Sequence, residues 1–248
     1  MLIQSKRGEA PRVSILGIPV DRVTMDEAVA RIEGYLAVDR PHMVVTADSS
    51  GIVAAQSDVE FREILLKADL VTPDSVGILW AAKRSGAPIA GRVSGVDLLD
   101  SLCGRSADRG YRVFLLGSSP GVAEMAAERL RLRHPGCLIV GTRHGYFPPE
   151  SDEVVAREVA QSQPDLVFVA MGIPRQEKFI ASTLHLMGAR VAMGVGGSLD
   201  VFSGRVRRAP KLFQTLRLEW LWRLMLNPRK YQKVLSLPRF VWMVLRDR

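Results

Sequence analysis

The sequence predicts an α/β protein: a mostly parallel sheet with helices on both faces, followed by a helical, basic C-terminal appendage. Three observations carry that prediction. Short apolar runs alternate with amphipathic segments almost to residue 210. Most of those runs are continuously hydrophobic rather than alternating, as strands buried on both faces are. After Pro210 the pattern becomes helix without strand, with large apolar residues interleaved with arginine and lysine.

The elements follow in order. Val13–Gly17 reads as the first buried strand, and Thr24 with Glu27 three residues on forms a capping box for a helix over Met25–Ala37. Strands are expected at Met43–Thr46, Leu70–Thr72, Arg112–Gly117, Cys137–Gly141, Leu166–Met171 and Arg190–Val195. Between them lie helices at Asp58–Lys67, Val76–Ser85, Val96–Arg109, Val122–Arg133, Asp152–Gln161 and Gln176–Met187, the last begun by Pro174 at its favoured position. Right-handed βαβ units follow, so the outline is Rossmann-like. Beyond Pro210, helices are expected at Gln214–Leu226, Lys230–Leu237 and Arg239–Leu245, with breaks at Asn227-Pro228 and Pro238. A boundary near Ser203–Pro210 is expected to separate a main α/β domain, 1–204, from an appendage, 205–248.

Composition narrows the classes. With 248 residues, 47% hydrophobic and 24% charged, the chain can bury a large core and is not a disordered protein. Cys103 and Cys137 suit neither a disulfide framework nor a zinc pattern, which points to a reducing compartment. The first ten residues lack the apolar centre of a signal peptide, and no run has the length of a membrane span. Charge is distributed unevenly. From Arg205 onward twelve Lys/Arg face two acidic residues, against 22 basic and 24 acidic residues before it. Such a tail suits an anionic membrane surface, a phosphorylated ligand or nucleic acid. Its mixture of arginine with tryptophan and leucine favours an interfacial helix over a nucleic-acid grip.

Chemistry-bearing residues gather where strands end. Thr46-Ala-Asp48 closes the second strand and Asp74 closes the third, which puts two carboxylates at one rim of the sheet. Helix capping accounts equally well for either aspartate taken alone. Arg92-Val-Ser-Gly-Val-Asp97 opens a helix beside an arginine, an arrangement that favours an anion and equally fits an ordinary helix cap with a surface arginine. Gln176 and Glu177 sit in the first turn after Ala170-Met-Gly172, where an amide and a carboxylate can read a sugar hydroxyl or a base edge, or Glu177 can simply complement the helix dipole. The turns Leu115-Leu-Gly-Ser-Ser-Pro-Gly121 and Val195-Gly-Gly-Ser198 lack the G-x-G-x-x-G spacing, which weakens the alternative of a non-catalytic or oxidoreductase nucleotide-binding protein. No two histidines have metal-ligand spacing, and there is no D-x-D pair, so a departing diphosphate would be neutralised by arginine, lysine and backbone amides.

A set of motifs spanning Val13 to Tyr231 resembles the WecG/TagA/CpsF glycosyltransferases of bacterial cell-surface polysaccharide and teichoic acid synthesis. It comprises Leu16-Gly-Ile-Pro-Val20, Thr46-x-Asp48, Ala68-Asp-Leu-Val-Thr-Pro-Asp74, Arg92-Val-Ser-Gly-Val-Asp-Leu98, Gly145-Tyr-Phe147, Gly172-x-Pro-Arg-Gln-Glu177, Gly194-Val-Gly-Gly-Ser-Leu-Asp200, Arg208-Ala-Pro210 and Leu218-Glu-Trp-Leu-Trp-Arg223. The resemblance implies an inverting, metal-independent, cofactor-free transfer from a UDP-sugar to a polyprenyl-diphosphate-linked saccharide. The enzyme would be peripheral on the inner face of the cytoplasmic membrane, would bind no nucleic acid and is compatible with a homo-oligomer. It implies Asp74 as the base, with Thr46 and Asp48 beside it. Arg92, Asp97, Tyr146, Gly172, Gln176, Glu177, Gly196, Gly197 and Asp200 would line the substrate pocket. Arg223, Lys230 and Lys233 would bring the appendage onto the diphosphate. Asp48 departs from the pattern: members that transfer N-acetylmannosamine usually carry asparagine there, so glucose, a uronic acid and N-acetylmannosamine all stay open as the donor sugar, and Asp48 can share the base role.

Overall fold

The computed structural model describes residues 2–3, 11–207, 209–210 and 231–247, with backbone alone for 2–3 and 231–235. The first expected strand divides. β1 (Leu2–Ile3), β2 (Arg12–Ile15) and β3 (Ile18–Asp21) form a separate antiparallel sheet. Val13–Gly17 therefore does not join a parallel sheet. Leu16 and Gly17 both take positive φ, 51° and 79°, and turn the chain back on itself. α1 (Met25–Leu36) starts at the expected capping box, with Thr24 and Glu27 bonding each other's backbone.

The main sheet is parallel throughout. β4 (His42–Ala47), β5 (Leu70–Pro73), β6 (Arg112–Gly117), β7 (Leu138–Arg143), β8 (Leu166–Ala170) and β9 (Val191–Gly194) stand in the order β5-β4-β9-β8-β6-β7. The helices between them are α2 (Ser49–Ala54), α3 (Val59–Lys67), α4 (Val76–Arg84), α5 (Gly95–Arg109), α6 (Val122–Arg133), α7 (Asp152–Gln161), α8 (Arg175–Thr183) and α9 (Ser198–Phe202). α10 (Tyr231–Arg246) closes the described chain. The helix expected over Gln214–Leu226, the break at Asn227-Pro228, and Arg223 and Lys230 lie outside the described residues. Lys233 falls on α10, in the part described by backbone alone. The expected break at Pro238 is absent: α10 runs through it. Proline removes one helical hydrogen bond, but burial of Phe240 and Val244 beyond it holds the helix in place.

Two apolar cores explain the continuous hydrophobic runs. In β4, Met43, Val45 and Ala47 enter one core and Val44 the other; in β8, Val167 and Val169 oppose Leu166, Phe168 and Ala170. Helices α2, α3, α4, α7, α8 and α10 cover the first face with the hairpin, and α1, α5, α6 and α9 cover the second. One consequence places the site. The chain leaves β4 toward α2 on one face and leaves the neighbouring β9 toward α9 on the other, which opens a crevice between their carboxyl ends, the position ligands favour in open α/β sheets.

Asp21 ties the hairpin and α1 to this sheet. It is fully buried, pairs with Arg12 Nε (3.0 Å) and Arg31 Nη1 (2.7 Å), and accepts a bond from Val71 N on β5 (2.8 Å). Asp21→Ala would leave two guanidinium groups without their charge partner and a strand amide without its acceptor. Breaking such a buried pair typically costs about 3–5 kcal/mol, and urea unfolding should show a loss of that size.

Candidate active site

The crevice is lined by the ends of β4, β5 and β9. β5 pairs with β4 in register, Thr72 with Thr46 and Pro73 with Ala47, and the ladder is continued by a bond from Asp74 N to Ala47 O (2.9 Å). Asp48 and Asp74 therefore leave neighbouring strands at the same level. Each enters the start of a helix. Asp48 caps α2: its Oδ1 accepts from Gly51 N (2.7 Å) and Ser50 Oγ (2.6 Å). Asp74 precedes the α4 cap, Ser75, and its Oδ2 accepts from Gly95 N at the start of α5 (3.2 Å). The capping reading thus holds for Asp48. Asp74 instead receives the amide of a different helix, and that donor stabilises its negative charge.

α5 reaches the rim because the loop before it joins the strand end, with Val93 N donating to Pro73 O (2.9 Å). This fixes half-buried Arg92 beside Asp74's strand. Asp97 serves the helix start: its amide donates to Ser94 Oγ (3.3 Å), whose hydroxyl bonds back to the Asp97 carboxylate. Thr46 is buried, and its hydroxyl donates to Gly194 O across the crevice (2.9 Å).

Gln176 and Glu177 are placed differently from what the sequence suggests for ligand readers. Both are buried. Gln176 Oε1 accepts from Gly172 N (3.2 Å) and Gly196 N (3.0 Å), and its Nε2 donates to Glu177 Oε1 (2.7 Å). The amide group thereby clamps the loop after β8 to the loop after β9. Gly194 makes room for the clamp, since a Cβ there would stand 2.6 Å from Gln176 Nε2. Gly172 and Gly196 take positive φ, 80° and 54°, conformations that a side chain would strain.

A second cluster forms over β6, β7 and α9. Ser118, at positive φ, accepts from Gly145 N through its carbonyl (2.9 Å), while its hydroxyl donates to Asp200 Oδ2 (3.3 Å). Arg205 bonds Ser119 Oγ. Tyr146, next to Gly145, projects into solvent, and Gly197 lies near Asp200. Ser118, Ser119 and Arg205 are rim residues that motif reading passed over. The Gly-Ser-Ser-Pro-Gly turn is the sequence signal for the two serines, although it matches no dinucleotide fingerprint.

Among the described residues no group of three or more His, Cys, Asp or Glu side chains could hold a metal ion. The rim instead offers carboxylates on one side of the crevice, with hydroxyls and an arginine around Ser118 on the other. Replacing the clamp tests how the two loops are held. Gln176→Leu would remove the acceptor shared by two partly solvated backbone amides, a loss of about 1–3 kcal/mol, and should lower Tm by about 2–10 °C in thermal unfolding.

The sequence matches the model of the glycosyl transferase WecG/TagA/CpsF family over residues 13–248. It is 38% identical over 212 residues to an N-acetylglucosaminyldiphosphoundecaprenol N-acetyl-beta-D-mannosaminyltransferase of Bacillus spizizenii, covering 86% of this chain and 82% of that one. A protein of the same name from Bacillus subtilis is 34% identical over 205 residues, covering 83% and 79% of the two chains. Another from Staphylococcus aureus is 32% identical over 243 residues, covering 97% and 95%. A parallel sheet with its carboxylates at the crevice, matched along nearly its whole length, belongs to the WecG/TagA/CpsF family of glycosyl transferases.

Proposed function

We propose that this chain transfers a sugar, with inversion, from a UDP-sugar to a polyprenyl-diphosphate-linked saccharide, with Asp74 as the general base. The observation that carries the reading is the placement of Asp74: a half-buried carboxylate at the mouth of the crevice, held by the Gly95 amide. The names of the relatives support an N-acetyl-β-D-mannosaminyl group as the sugar and an N-acetylglucosaminyl-diphosphate lipid as the acceptor. A β-linked product from an α-linked nucleotide sugar also requires attack opposite the leaving group, which is inversion.

In this mechanism the acceptor hydroxyl gives its proton to Asp74 as its oxygen bonds to the anomeric carbon, and the bond from that carbon to UDP breaks. The departing diphosphate carries the electron pair away and is stabilised by cations. Arg92 serves from the α5 side. Arg223, Lys230 and Lys233 serve from the appendage, 205–248, which follows the catalytic part, 1–204. Gly172, Gln176, Glu177, Gly196 and Gly197 shape the pocket through the clamp, while Thr46 and Asp97 hold its walls and Tyr146 and Asp200 bound its far end. Asp48 keeps the helix cap that asparagine would also make, because the bonded atom is an acceptor oxygen in either residue.

Support for attachment to the inner membrane face comes from α10. No helix among the described residues is long and apolar enough to cross a membrane. α10 buries Phe240 and Val244 but turns Trp242 and Leu245 outward, with the Arg246 guanidinium 4.0 Å over the Trp242 ring. Apolar residues on the free face of a helix beside arginine suit the headgroup boundary, where the lipid-linked acceptor resides.

Three outcomes test this reading. Asp74→Asn should lower turnover by about 10²–10⁴-fold in a folded protein; near-normal turnover would move the base elsewhere. Transfer should persist in excess EDTA, and loss of activity restored by Mg²⁺ would show that a metal neutralises the diphosphate. The double variant Trp242→Ala, Leu245→Ala should partition to anionic vesicles at least about tenfold more weakly, given about 1.5–3 kcal/mol for each buried apolar side chain.

A further inference from the structure

The C-terminal helix reaches the base from behind. Phe240 of α10 is fully buried and lies against the first turn of α4: a Cβ built on Gly77 would stand 3.3 Å from Phe240 Cε1 and would overlap Ser49 Oγ. Ser49 opens α2 and Ser75 caps α4. The two are bonded, Ser49 N donating to Ser75 Oγ (3.2 Å) with the hydroxyl oxygens 3.0 Å apart. One aromatic ring therefore wedges the joint through which both strand-end carboxylates enter their helices, because Asp48 precedes Ser49 and Asp74 precedes Ser75. Ile52, Val53, Ile78, Ala82 and Val244 belong to the same apolar core. α2 has only six residues, too few to hold its course without such packing.

We propose that Phe240 is a positioning residue for the transfer reaction. By filling the space beside Gly77 it fixes the α2/α4 joint, and with it the direction in which Asp74 presents its carboxylate. The inference rests on Asp74 being the base. It couples address to chemistry: the helix that turns Trp242 and Leu245 outward holds the base in line through its inner face.

The test uses full-length variants and a water-soluble diphosphate-linked acceptor, so that membrane attachment does not enter the readout. Phe240→Ala should lower kcat by about 10- to 100-fold, the scale of a 1 Å misplacement, with donor KM within about twofold. Phe240→Leu should recover most of the loss. Gly77→Ala, which presses on Ser49 and Phe240 from the other side, should lower kcat in the same way. With Asp74→Asn already present, Phe240→Ala should cost less than about threefold more, since an absent base cannot be misplaced. Wild-type kcat in folded Phe240→Ala, a rise in KM at constant kcat, or full additivity with Asp74→Asn would overturn the proposal. Should circular dichroism find Phe240→Ala unfolded, Gly77→Ala and Phe240→Leu decide, and wild-type kcat in Gly77→Ala overturns it. Near-normal turnover of Asp74→Asn alone is a different failure, that of the base assignment.

Discussion

The site depends on the register of one strand pair. β4 and β5 run parallel with Thr46 opposite Thr72 and Ala47 opposite Pro73, and the amide of Asp74 completes the ladder on Ala47 O. Proline at 73 has no amide to give, so the bond beyond it is what carries the pairing to the strand end. A slip of one residue would send every side chain of β5 to the opposite face and would carry Asp74 away from Asp48. Burial resists that slip: Leu70 and Val71 enter opposite cores, and Asp21 accepts the amide of Val71 from the flank. Burial in two opposed cores and one buried carboxylate thus set the position of the proposed base.

On the opposite side of the crevice buried polar groups add to the apolar packing. Strand-end loops have few side chains to bury, and their amides need acceptors. Gln176 supplies one oxygen to two of them, from loops that follow different strands, and its Nε2 donates to Glu177 Oε1. A network of this kind is rigid while complete and costly when any member is missing. Glycine at 194 is required because the amide group lies where a Cβ would be, and glycine at 117 because Ala170 on the neighbouring strand leaves no room for one. These residues keep the crevice open by occupying its walls.

Much of this was legible in the sequence, for identifiable reasons. β6, α6 and α7 have the expected ends, because buried strands and amphipathic helices announce themselves by hydrophobic period. Asp48 and Asp74 were legible as rim residues because strand, polar residue and helix follow one another within a few positions. The hairpin was not, since Ile18-Pro-Val-Asp21 continues the apolar run of β2 and only the positive φ of Leu16 and Gly17 divides it. Nor was the clamp, because Gln176 looks the same on a helix start whether it faces a ligand or two distant amides. α2 is too short to show a period, and the course of α10 through Pro238 is decided by Phe240 and Val244 meeting partners far off in sequence.

The rim of the sheet carries negative charge of its own. Asp48 is met by the Gly51 amide and the Ser50 hydroxyl, and Asp74 by the Gly95 amide, so each carboxylate has a donor at the start of a helix. Those donors neutralise only part of two negative groups on adjacent strands. A diphosphate brought to the same crevice adds further negative charge, and the walls built by Thr46, Gln176 and Glu177 carry no cation. Among the described residues of the rim, Arg92 stands on one side and Arg205 on the other. From Arg205 onward the chain carries twelve basic residues against two acidic ones, and the proposed function assigns part of that charge to the departing diphosphate. Under the proposed function the acidity of the rim and the basicity of the tail are two sides of one electrostatic balance, and a charged aspartate at 48 would enlarge the demand on the tail.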